Sequence, residues 1–204
     1  MTSTAVQRFY RYHAHVYDGT RWMILHRRRR AVELLGLRAD SEVLEVGCGT
    51  GLNFGYVLDE LEPGAGRLTG LDFSGDMLRR AERRRAARDW NNVELLQADA
   101  TQLALGRQFD AILFAYSLTM IPEWPRALER AVGHLRAGGR LVVLDFGQFE
   151  RWWLLGPVMR AWLRANHVET LGLYTGRLRE LLTGFELETW LGGYCFIASG
   201  QRSA

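Results

Sequence analysis

The sequence predicts an α/β domain built on a mostly parallel sheet that ends in an antiparallel hairpin. From residue 41 onward, short apolar runs alternate with helical patterns, as they do in repeated β-α units. A glycine-rich turn follows the first of these runs, and a Gly-Gly turn separates the last two. With 204 residues, of which 48% are hydrophobic, we expect a single domain over residues 1–204.

Five strands and three helices are expected before the hairpin. The first two crossovers have the length of right-handed βαβ units, and Ser74 is placed to cap the second helix. The third connection, 99–105, has room only for a turn or a short helix. The strands are predicted near 42–46, 67–71, 93–97, 110–115 and 140–145, and the helices near 52–62, 75–89 and 123–136.

The end of the chain breaks this alternation. Gly184 separates a helical stretch, about 175–183, from a predicted strand at Phe185 to Leu191. Gly192-Gly193 then turns into a second strand, Tyr194 to Ala198. Two strands joined by such a turn predict an antiparallel hairpin.

Two segments, 1–40 and 149–173, lie outside the predicted alternation of strands and helices. Residues 1–40 hold eight arginines against three acidic residues, whereas the rest of the chain holds 18 arginines against 20 acidic residues. Aromatic residues interleave the arginines in both segments, a pattern that suits contact with anionic lipid headgroups. An aromatic cap beneath a solvated charged face would give the same pattern. We expect 1–40 to be a membrane-facing entrance segment and 149–173 to be a substrate lid over the carboxyl edge of the sheet.

Composition excludes several classes. Cys48 and Cys195 lie far apart and follow no signal-peptide pattern, which favours a reducing compartment over a disulfide framework. No metal-type ligand spacing occurs, and the mild net charge of +3 without a nucleic-acid module disfavours nucleic acid as a partner. The longest uncharged apolar stretch, Ala111 to Pro122, is shorter than the roughly 18 residues that cross a bilayer. We expect a cytoplasmic protein, peripheral on the inner face of the cell membrane, with an anionic membrane surface as partner.

The strongest chemical signal is a glycine-rich turn followed by two carboxylates. Gly47, Gly49 and Gly51 let the backbone turn tightly and approach a ligand without an intervening Cβ, although a turn without ligand fits them too. Asp72 closes the second strand, where a ribose diol would sit, and Asp99 closes the third. Either carboxylate alone could be a helix cap. Together with the glycines they indicate a nucleotide-type site at the carboxyl ends of the strands.

These motifs resemble those of a known family. Glu45-Val-Gly-Cys-Gly-Thr-Gly51, Asp72, Asp99-Ala100 and the turn from Arg136 to Leu141 are similar to the ordered motifs of class I S-adenosylmethionine-dependent methyltransferases, over about 41–146. The resemblance implies a Rossmann-like, seven-stranded sheet with a reversed last strand. It also implies S-adenosyl-L-methionine as cofactor and S-adenosyl-L-homocysteine as product. A dehydrogenase would more often space its glycines G-x-G-x-x-G, whereas these run G-x-G-x-G.

The same resemblance implies a set of cofactor contacts. Gly47 and Gly49 would lie against the methionine part, Asp72 would take the ribose hydroxyls, and Asp99 would hold the adenine amino group. Phe73 and Met77 would flank the adenine. The complete expected set is Tyr17, Glu45, Gly47, Gly49, Gly51, Asn53, Asp72, Phe73, Met77, Asp99, Ala100 and Tyr116.

Stretches outside the cofactor core resemble a narrower group. Tyr12–Arg21, Tyr116–Trp124, Val143–Glu150 and Met159–Val168 are similar to the bacterial methyltransferases that convert diacylglyceryl-homoserine to its trimethylated betaine lipid. Small bacterial phosphatidylethanolamine N-methyltransferases share the Tyr-Asp entrance and are the alternative. Methylation of a quinone carbon or of a soluble small molecule ranks below these. A cofactor-binding partner subunit without catalysis is an alternative of another class.

Amine methylation needs alignment more than a strong base. An amine must be neutral to attack the methyl group, which modest desolvation achieves near neutral pH, and collinear alignment supplies most of the rate. The methylated nitrogen is a permanent cation, which aromatic faces attract. The expected catalytic residues are Tyr17, Tyr116 and His167. The expected substrate contacts are Tyr10, Arg21, Trp22 and Arg151, with the two arginines as candidate clamps for a headgroup carboxylate.

Overall fold

The computed structural model of the protein describes residues 26–149, 151–152, 155–165 and 174–203. The strands are β1 (Glu42–Val46), β2 (Arg67–Asp72), β3 (Val93–Gln97), β4 (Phe109–Ala115), β5 (Leu135–Phe146), β6 (Thr183–Trp190) and β7 (Cys195–Gln201). The helices are α1 (Arg28–Glu33), α2 (Phe54–Leu58), α3 (Gly75–Ala86), α4 (Trp124–Gly133), α5 (Gly156–Ala165) and α6 (Tyr174–Leu181). Short 3-10 helices lie at Ala100–Gln102 and Leu118–Met120.

The strands form one seven-stranded sheet in the order β3-β2-β1-β4-β5-β7-β6. The first five strands pair in parallel, and β7 lies antiparallel between β5 and β6. The predicted fold class is therefore confirmed. Because chain order reverses between β1 and β4, their carboxyl ends flank the crevice where open α/β sheets bind ligands.

Several boundaries differ from the sequence prediction, and those of β6 and β5 change how the strands connect. β6 begins at Thr183, one residue before the glycine expected to separate it from the preceding helix. β5 begins at Leu135, because its first residue pairs with Phe109 while Arg140 pairs with Ala111. The intervening turn is therefore an irregularity within the strand, where Gly138 takes a φ of +74°.

The sheet buries both faces, which explains the nearly continuous apolar runs of β1 and β4. Val43 and Ala111 face a core covered by α1, α2 and α3. Leu44 and Ile112 face a second core covered by α4 and α6. Helix α3 starts where expected, since the Ser74 hydroxyl accepts a bond from the Met77 N–H at 3.4 Å.

Helix α1 falls within the arginine-rich segment and had no counterpart among the predicted elements. Ala31, Val32 and the following Leu35 are buried in the first core. Arg27 and Arg30 both reach Glu188 on β6, with N···O distances of 2.9 and 2.6 Å. The run of four arginines belongs to the expected membrane-facing segment, and the next turn of the same helix packs on the sheet.

One glycine in β2 tests this packing. A Cβ at Gly70 would lie 2.8 Å from the Phe54 ring and 3.1 Å from the Cys48 sulfur. Gly70→Ala should therefore lower the free energy of unfolding by about 1–3 kcal/mol in urea titrations, the range for overpacking. At Gly133, at the end of α4, a Cβ would meet no atom within 4 Å. Gly133→Ala should leave stability unchanged or raise it by up to about 1 kcal/mol, and equal stability of the two variants would contradict the packing described.

Candidate functional site

The carboxyl ends of β1 to β4 open into a cavity of about 320 Å³, within the usual size range of ligand pockets. Its walls are the loops after these strands, together with Arg28 from α1. The expected site residues that line it are Gly47, Gly49, Asp72, Phe73, Met77, Asp99, Ala100 and Tyr116. Those that fall outside the described residues are Tyr10, Tyr17, Arg21, Trp22 and His167.

The three glycines of the first loop have different roles. All have positive φ, but a Cβ at Gly47 would lie 2.5 Å from the Ser117 Cβ, and one at Gly51 would lie 2.6 Å from the Phe54 ring. A Cβ at Gly49 would point into open space, with no atom within 4 Å. Gly51 does not line the cavity and lies against the Phe54 ring, and its expected cofactor contact stays a prediction. Gly49 leaves the room that a ligand would need.

Asp72 ties this loop to the next one. Its Oδ2 accepts a bond from the Gly49 N–H and its Oδ1 one from the Ser74 N–H, both at 2.8 Å. Burial raises the pKa of Asp72, and the two backbone donors oppose that change. Each carboxylate oxygen retains a further lone pair for a ligand hydroxyl. Asp72 therefore shapes the glycine loop and presents an acceptor to the cavity.

Asp99 combines both of the roles considered for it. Its Oδ1 accepts bonds from the Thr101 N–H at 2.8 Å and the Thr101 hydroxyl at 2.7 Å, which caps the 3-10 helix after β3. It also lines the cavity. A ligand amino group at this end would bind the second oxygen, Oδ2.

A buried chain of polar groups lies behind the glycine loop. The Asn53 amide donates to Glu45 Oε1 at 2.5 Å and accepts at Oδ1 from Arg28 Nη1, also at 2.5 Å. Burial raises the pKa of Glu45 to about 7, and Glu45 Oε2 is buried without a hydrogen-bond partner among the described residues. Neither Glu45 nor Asn53 lines the cavity, whereas Arg28 does. Both residues support Arg28 in this structure, and their expected direct contact with the cofactor stays a prediction.

Arg28 was not among the expected site residues, because it lies within a run of four arginines that have the same side chain. The spacing of the apolar residues that follow it could have identified it. Arg28 shares a helical face with Ala31, Val32 and Leu35, at spacings of three, four and seven residues, and these three residues are buried. An arginine on the apolar face of an amphipathic helix points inward and needs a partner.

Tyr116 forms the far wall of the cavity, after β4. Its hydroxyl donates to the His26 carbonyl at 2.9 Å, and the Arg28 guanidinium carbon lies 5.5 Å from its ring centre. Burial raises the pKa of Tyr116, so its hydroxyl stays protonated. This geometry suits an aromatic face and does not suit a proton acceptor.

An aromatic cluster continues from Tyr116 over the end of β5 and the hairpin turn. The Phe146 ring lies 4.9 Å from Tyr116 and 6.0 Å from Tyr194, measured between ring centres. Tyr194 contacts three further rings at 5.7–6.3 Å. The members of this aromatic cluster are Tyr116, Phe146, Phe149, Trp152, Trp190 and Tyr194.

Asp145 fixes the turn that follows Tyr116. It is fully buried and accepts bonds from the Thr119 N–H at 3.1 Å, the Thr119 hydroxyl at 2.8 Å and its neighbour's N–H. Burial raises its pKa to about 6. Met120 and Ile121 of the same turn line the cavity. Asp145 lies in Val143–Glu150, one of the stretches that resemble the betaine-lipid methyltransferases, and no sequence pattern predicted its contacts with Thr119.

Arg151 does not reach the cavity. It is exposed, and its N–H donates to the Gly192 carbonyl of the hairpin turn at 3.1 Å. The neighbouring Phe149 N–H donates to Gly193 at 2.9 Å. The described start of the 149–173 segment is therefore held on the hairpin. Arg151 lies at an exposed position outside the cavity lining, and its expected role as a headgroup clamp stays a prediction.

Comparison with known proteins identifies the domain around the cavity. Residues 43–139 match the family model described as a methyltransferase domain, which spans β1 to the turn within β5. The match covers the glycine-rich turn, Asp72 and Asp99, the residues that carry the resemblance to class I S-adenosylmethionine-dependent methyltransferases. S-adenosylmethionine is the cofactor that this resemblance implies.

Solved structures share the fold of this methyltransferase domain. The N-methyltransferase NodS from Bradyrhizobium japonicum WM9, in complex with S-adenosyl-L-homocysteine, has a TM-score of 0.71 at 22% identity, over 96% of this chain and 99% of that one. A methyltransferase from Aquifex aeolicus has a TM-score of 0.71 at 20% identity, over 93% and 96% of the two chains. At these identities the likeness shows the fold alone.

Curated proteins that match in sequence have higher identity to this chain than these solved structures, but the matches cover a smaller part of it. Demethylmenaquinone methyltransferase from Thermus thermophilus is 38% identical over 120 residues, which make up 58% of this chain and 53% of that protein. The enzyme of the same name from Listeria monocytogenes is 30% identical over 122 residues. The chain spans about half the length of the curated relatives it matches.

The residues present fit the cofactor of the methyltransferase domain. Gly49 leaves open space where a Cβ would stand, and Asp72 and Asp99 offer carboxylates to hydroxyl and amino groups. Arg28 offers a cation to a carboxylate at the other end. The cavity lining therefore offers carboxylates and a cation, which suit a ligand that carries hydroxyl, amino and carboxylate groups.

Asp72→Ala should weaken binding of S-adenosyl-L-homocysteine by about 1.5–3 kcal/mol, the usual contribution of a hydrogen bond to a charged group. Calorimetric titration measures this change, and thermal unfolding separates it from damage to the glycine loop. Asp59→Ala, at an exposed position after α2, is the matched control and should bind as the wild type does. Unchanged affinity in Asp72→Ala would limit Asp72 to holding the loop.

Glu45 predicts a pH dependence of stability. Its pKa rises from an ordinary 4.5 to about 7 on folding, so the folded state binds more protons than the unfolded state between these values. This stabilisation is full below about pH 4.5 and is lost as pH rises through 7, by about 3 kcal/mol in total. Glu45→Gln should therefore lose less stability than the wild type between pH 5 and pH 8 in urea unfolding. Glu60→Gln, which is exposed, should follow the wild type, and parallel curves for all three proteins would contradict the shift.

Proposed function

We propose that this chain transfers the methyl group of S-adenosylmethionine to an acceptor that enters at the β4 end of the cavity. The order of the lining residues carries the proposal. Asp99 follows β3, Asp72 is the last residue of β2, Gly49 follows β1 and Tyr116 follows β4. Three strand spacings amount to about 14 Å, which suits an extended ligand with its adenosine near Asp99 and Asp72. Its methionine half and reactive methyl would then lie towards Tyr116.

The proposed acceptor is the amino headgroup of a membrane lipid, with diacylglyceryl-homoserine first and phosphatidylethanolamine second. Tyr116 and Phe146, in ring contact at 4.9 Å, belong to two of the stretches that resemble the betaine-lipid enzymes. Together with Tyr194 they begin an aromatic cluster at the cavity wall. Aromatic faces favour a nitrogen that becomes a permanent cation as methyl groups accumulate.

Methylation of an amine does not require a strong general base from the protein. When bound, the cofactor supplies a methyl group activated by its sulfonium. A C–N bond forms as the C–S bond breaks, and the nitrogen of a primary or secondary amine then loses a proton to solvent. The Tyr116 hydroxyl is already a donor to His26 and holds its proton, so Tyr116 contributes its ring face. Alignment within the cavity and exclusion of water supply most of the rate.

A membrane-resident acceptor requires contact with the bilayer surface. Across the described parts of the chain, no helix combines the length and apolarity needed to span a membrane. We propose peripheral contact through the arginine-rich segment 1–40, whose excess of positive charge suits anionic headgroups.

A second candidate acceptor is a quinone ring, methylated at carbon. The 38% identity to the Thermus thermophilus demethylmenaquinone methyltransferase supports it. The match to the Thermus thermophilus enzyme covers 58% of this chain. The lipid proposal and the quinone proposal differ in the atom that receives the methyl group, which is nitrogen in the first and carbon in the second. A cofactor-binding subunit without catalysis is the third alternative.

The acceptor is tested with methyl-labelled S-adenosylmethionine and matched detergent micelles that contain one lipid each. We expect the label on the nitrogen of diacylglyceryl-homoserine, identified by mass spectrometry. Faster labelling of phosphatidylethanolamine would replace the first acceptor by the second, and label on a demethylmenaquinone carbon would replace both. Cofactor binding without label on any acceptor would favour the non-catalytic subunit. Asp72→Ala should reduce labelling of whichever acceptor is used.

A further inference from the structure

The three most exposed large apolar side chains among the described residues belong to the start of α5 and to the hairpin turn. Leu155 and Val158, one helical turn apart, are 63% and 67% exposed, and Leu191 is 53% exposed. The Trp152 indole N–H donates to the Leu191 carbonyl at 2.8 Å, and the Trp152 carbonyl accepts from the first residue of α5. These contacts join the start of α5 to the turn. We call Leu155, Val158 and Leu191 the apolar patch.

The inner face of α5 already has partners. Leu163 is buried in the first core, and Met159 packs against the same core. The Arg151 N–H donates to the Gly192 carbonyl, which holds the chain before α5 on the hairpin. Because α5 is fixed in this way, the side chains of Leu155 and Val158 are presented outward on a packed helix.

The apolar patch lies at the edge of the sheet into which the cavity opens. β5 ends at this edge, and because β7 runs antiparallel to β5, the turn from β6 to β7 lies there too. Rings of the aromatic cluster lie between the patch and the cavity. The Trp152 ring is 6.0 Å from Tyr194, Tyr194 is 6.0 Å from Phe146, and Phe146 is 4.9 Å from Tyr116 on the cavity wall. A row of rings therefore leads from the patch to the end of the cavity where the acceptor is proposed to enter.

The charge around the apolar patch suits an anionic partner. The sequence from Arg151 to Ala165 has three arginines and no acidic residue. Arg151 is exposed, and neither Arg151 nor Arg160 forms an ion pair with any other residue that the structure describes. Exposed apolar side chains bordered by cations are typical of a surface that lies on anionic lipid headgroups. A second copy of this chain in a two-fold contact would set two such cationic borders against each other.

The arginine-rich segment reaches the same edge. The ring of His26, the first described residue, lies 5.1 Å from the Trp190 ring at the end of β6. Arg27 and Arg30 share the single carboxylate of Glu188 on that strand, at 2.9 and 2.6 Å. Two arginines against one carboxylate leave an excess of positive charge beside the hairpin. The two segments in which aromatic residues interleave arginines therefore meet at one edge of the molecule.

We infer that the apolar patch is the surface by which this protein lies on an anionic lipid bilayer, with Leu155, Val158 and Leu191 in the interfacial layer and Arg151 among the headgroups. The inference rests on the proposed function, since it brings the acceptor end of the cavity to the membrane that would supply a lipid acceptor. It extends the contact proposed for segment 1–40 to named side chains on α5 and the hairpin turn.

The test measures binding of the full chain to vesicles of equal parts phosphatidylglycerol and phosphatidylcholine by cosedimentation. Leu155→Glu and Val158→Glu should each weaken vesicle binding about tenfold, because each removes the burial of one aliphatic side chain and adds a negative charge. Val158→Trp should strengthen binding, since Trp favours the membrane interface. Arg151→Gln should weaken binding to these vesicles about fivefold, and should leave binding to pure phosphatidylcholine vesicles unchanged.

Leu187→Glu is the matched control. It changes the net charge by the same amount at another exposed leucine, 40% exposed on β6. Leu187 lies on the same face of β6 as Phe185, which packs against the second core, whereas α5 packs against the first. Leu187→Glu should therefore bind vesicles as the wild type does. Affinity for S-adenosyl-L-homocysteine reports whether each variant is folded, since no residue of the apolar patch lines the cavity.

Four results would overturn the inference. The first is a wild type that does not bind these vesicles, and the second is equal vesicle binding by the wild type, Leu155→Glu and Val158→Glu. The third is a dimeric wild type and a monomeric Val158→Glu with the same vesicle binding, which would assign the patch to a second copy of this chain. The fourth is a lower melting temperature of Val158→Glu with unchanged vesicle binding, which would assign the patch to another part of this chain. Patch-dependent vesicle binding without methylation of any lipid amine would support the surface and remove the proposed acceptor.

Discussion

A partly buried carboxylate at the end of β2, that of Asp72, holds the loops at one end of the cavity together. The two oxygens of Asp72 accept from Gly49 and Ser74, and so join the loop after β1 to the start of α3. The N–H groups of Gly47 and Cys48 bind the Leu71 carbonyl, at 2.7 and 2.9 Å, which closes the same junction from the backbone. With the loop fixed in this way, Gly49 faces open space and the loop forms one wall of the cavity. The shape of the glycine loop therefore depends on the Asp72 carboxylate together with the Leu71 carbonyl.

The other end of the cavity is assembled from distant parts of the chain. Arg28 arrives on α1, and Asn53 connects it to Glu45 within β1. Across the switch point, Tyr116 is held by the His26 carbonyl, and Asp145 fixes the turn that follows. Both buried carboxyls have raised pKa values, about 7 and about 6, because burial disfavours their charged forms. Glu45 and Asp145 are therefore more readily protonated than exposed carboxyls, and this end of the cavity carries less negative charge than two ionised carboxylates would give.

The sequence predicted the fold and the cavity residues that lie in recognisable motifs, namely the glycine-rich turn, Asp72 and Asp99, because both are encoded by short stretches of sequence. Apolar runs, glycine turns and the Ser74 cap each act within a few residues, and the order of β-α units then determines the sheet. The roles of Glu45 and Asn53 were not predictable in this way, since they depend on Arg28, which lies 25 residues before Asn53. A similar long-range contact, 26 residues apart, joins Asp145 to Thr119. Periodicity within the arginine run offered the one local signal for Arg28.

The central claim is that the cavity binds the cofactor with its adenine at the β3 end and its amino-acid end at β4. A crystal structure of the full chain with S-adenosyl-L-homocysteine tests this most directly. We expect the ribose hydroxyls within hydrogen-bond distance of Asp72, the adenine amino group beside Asp99, and the carboxylate on Arg28. An adenine beside Tyr116, or a ligand bound outside the cavity, would contradict the claim.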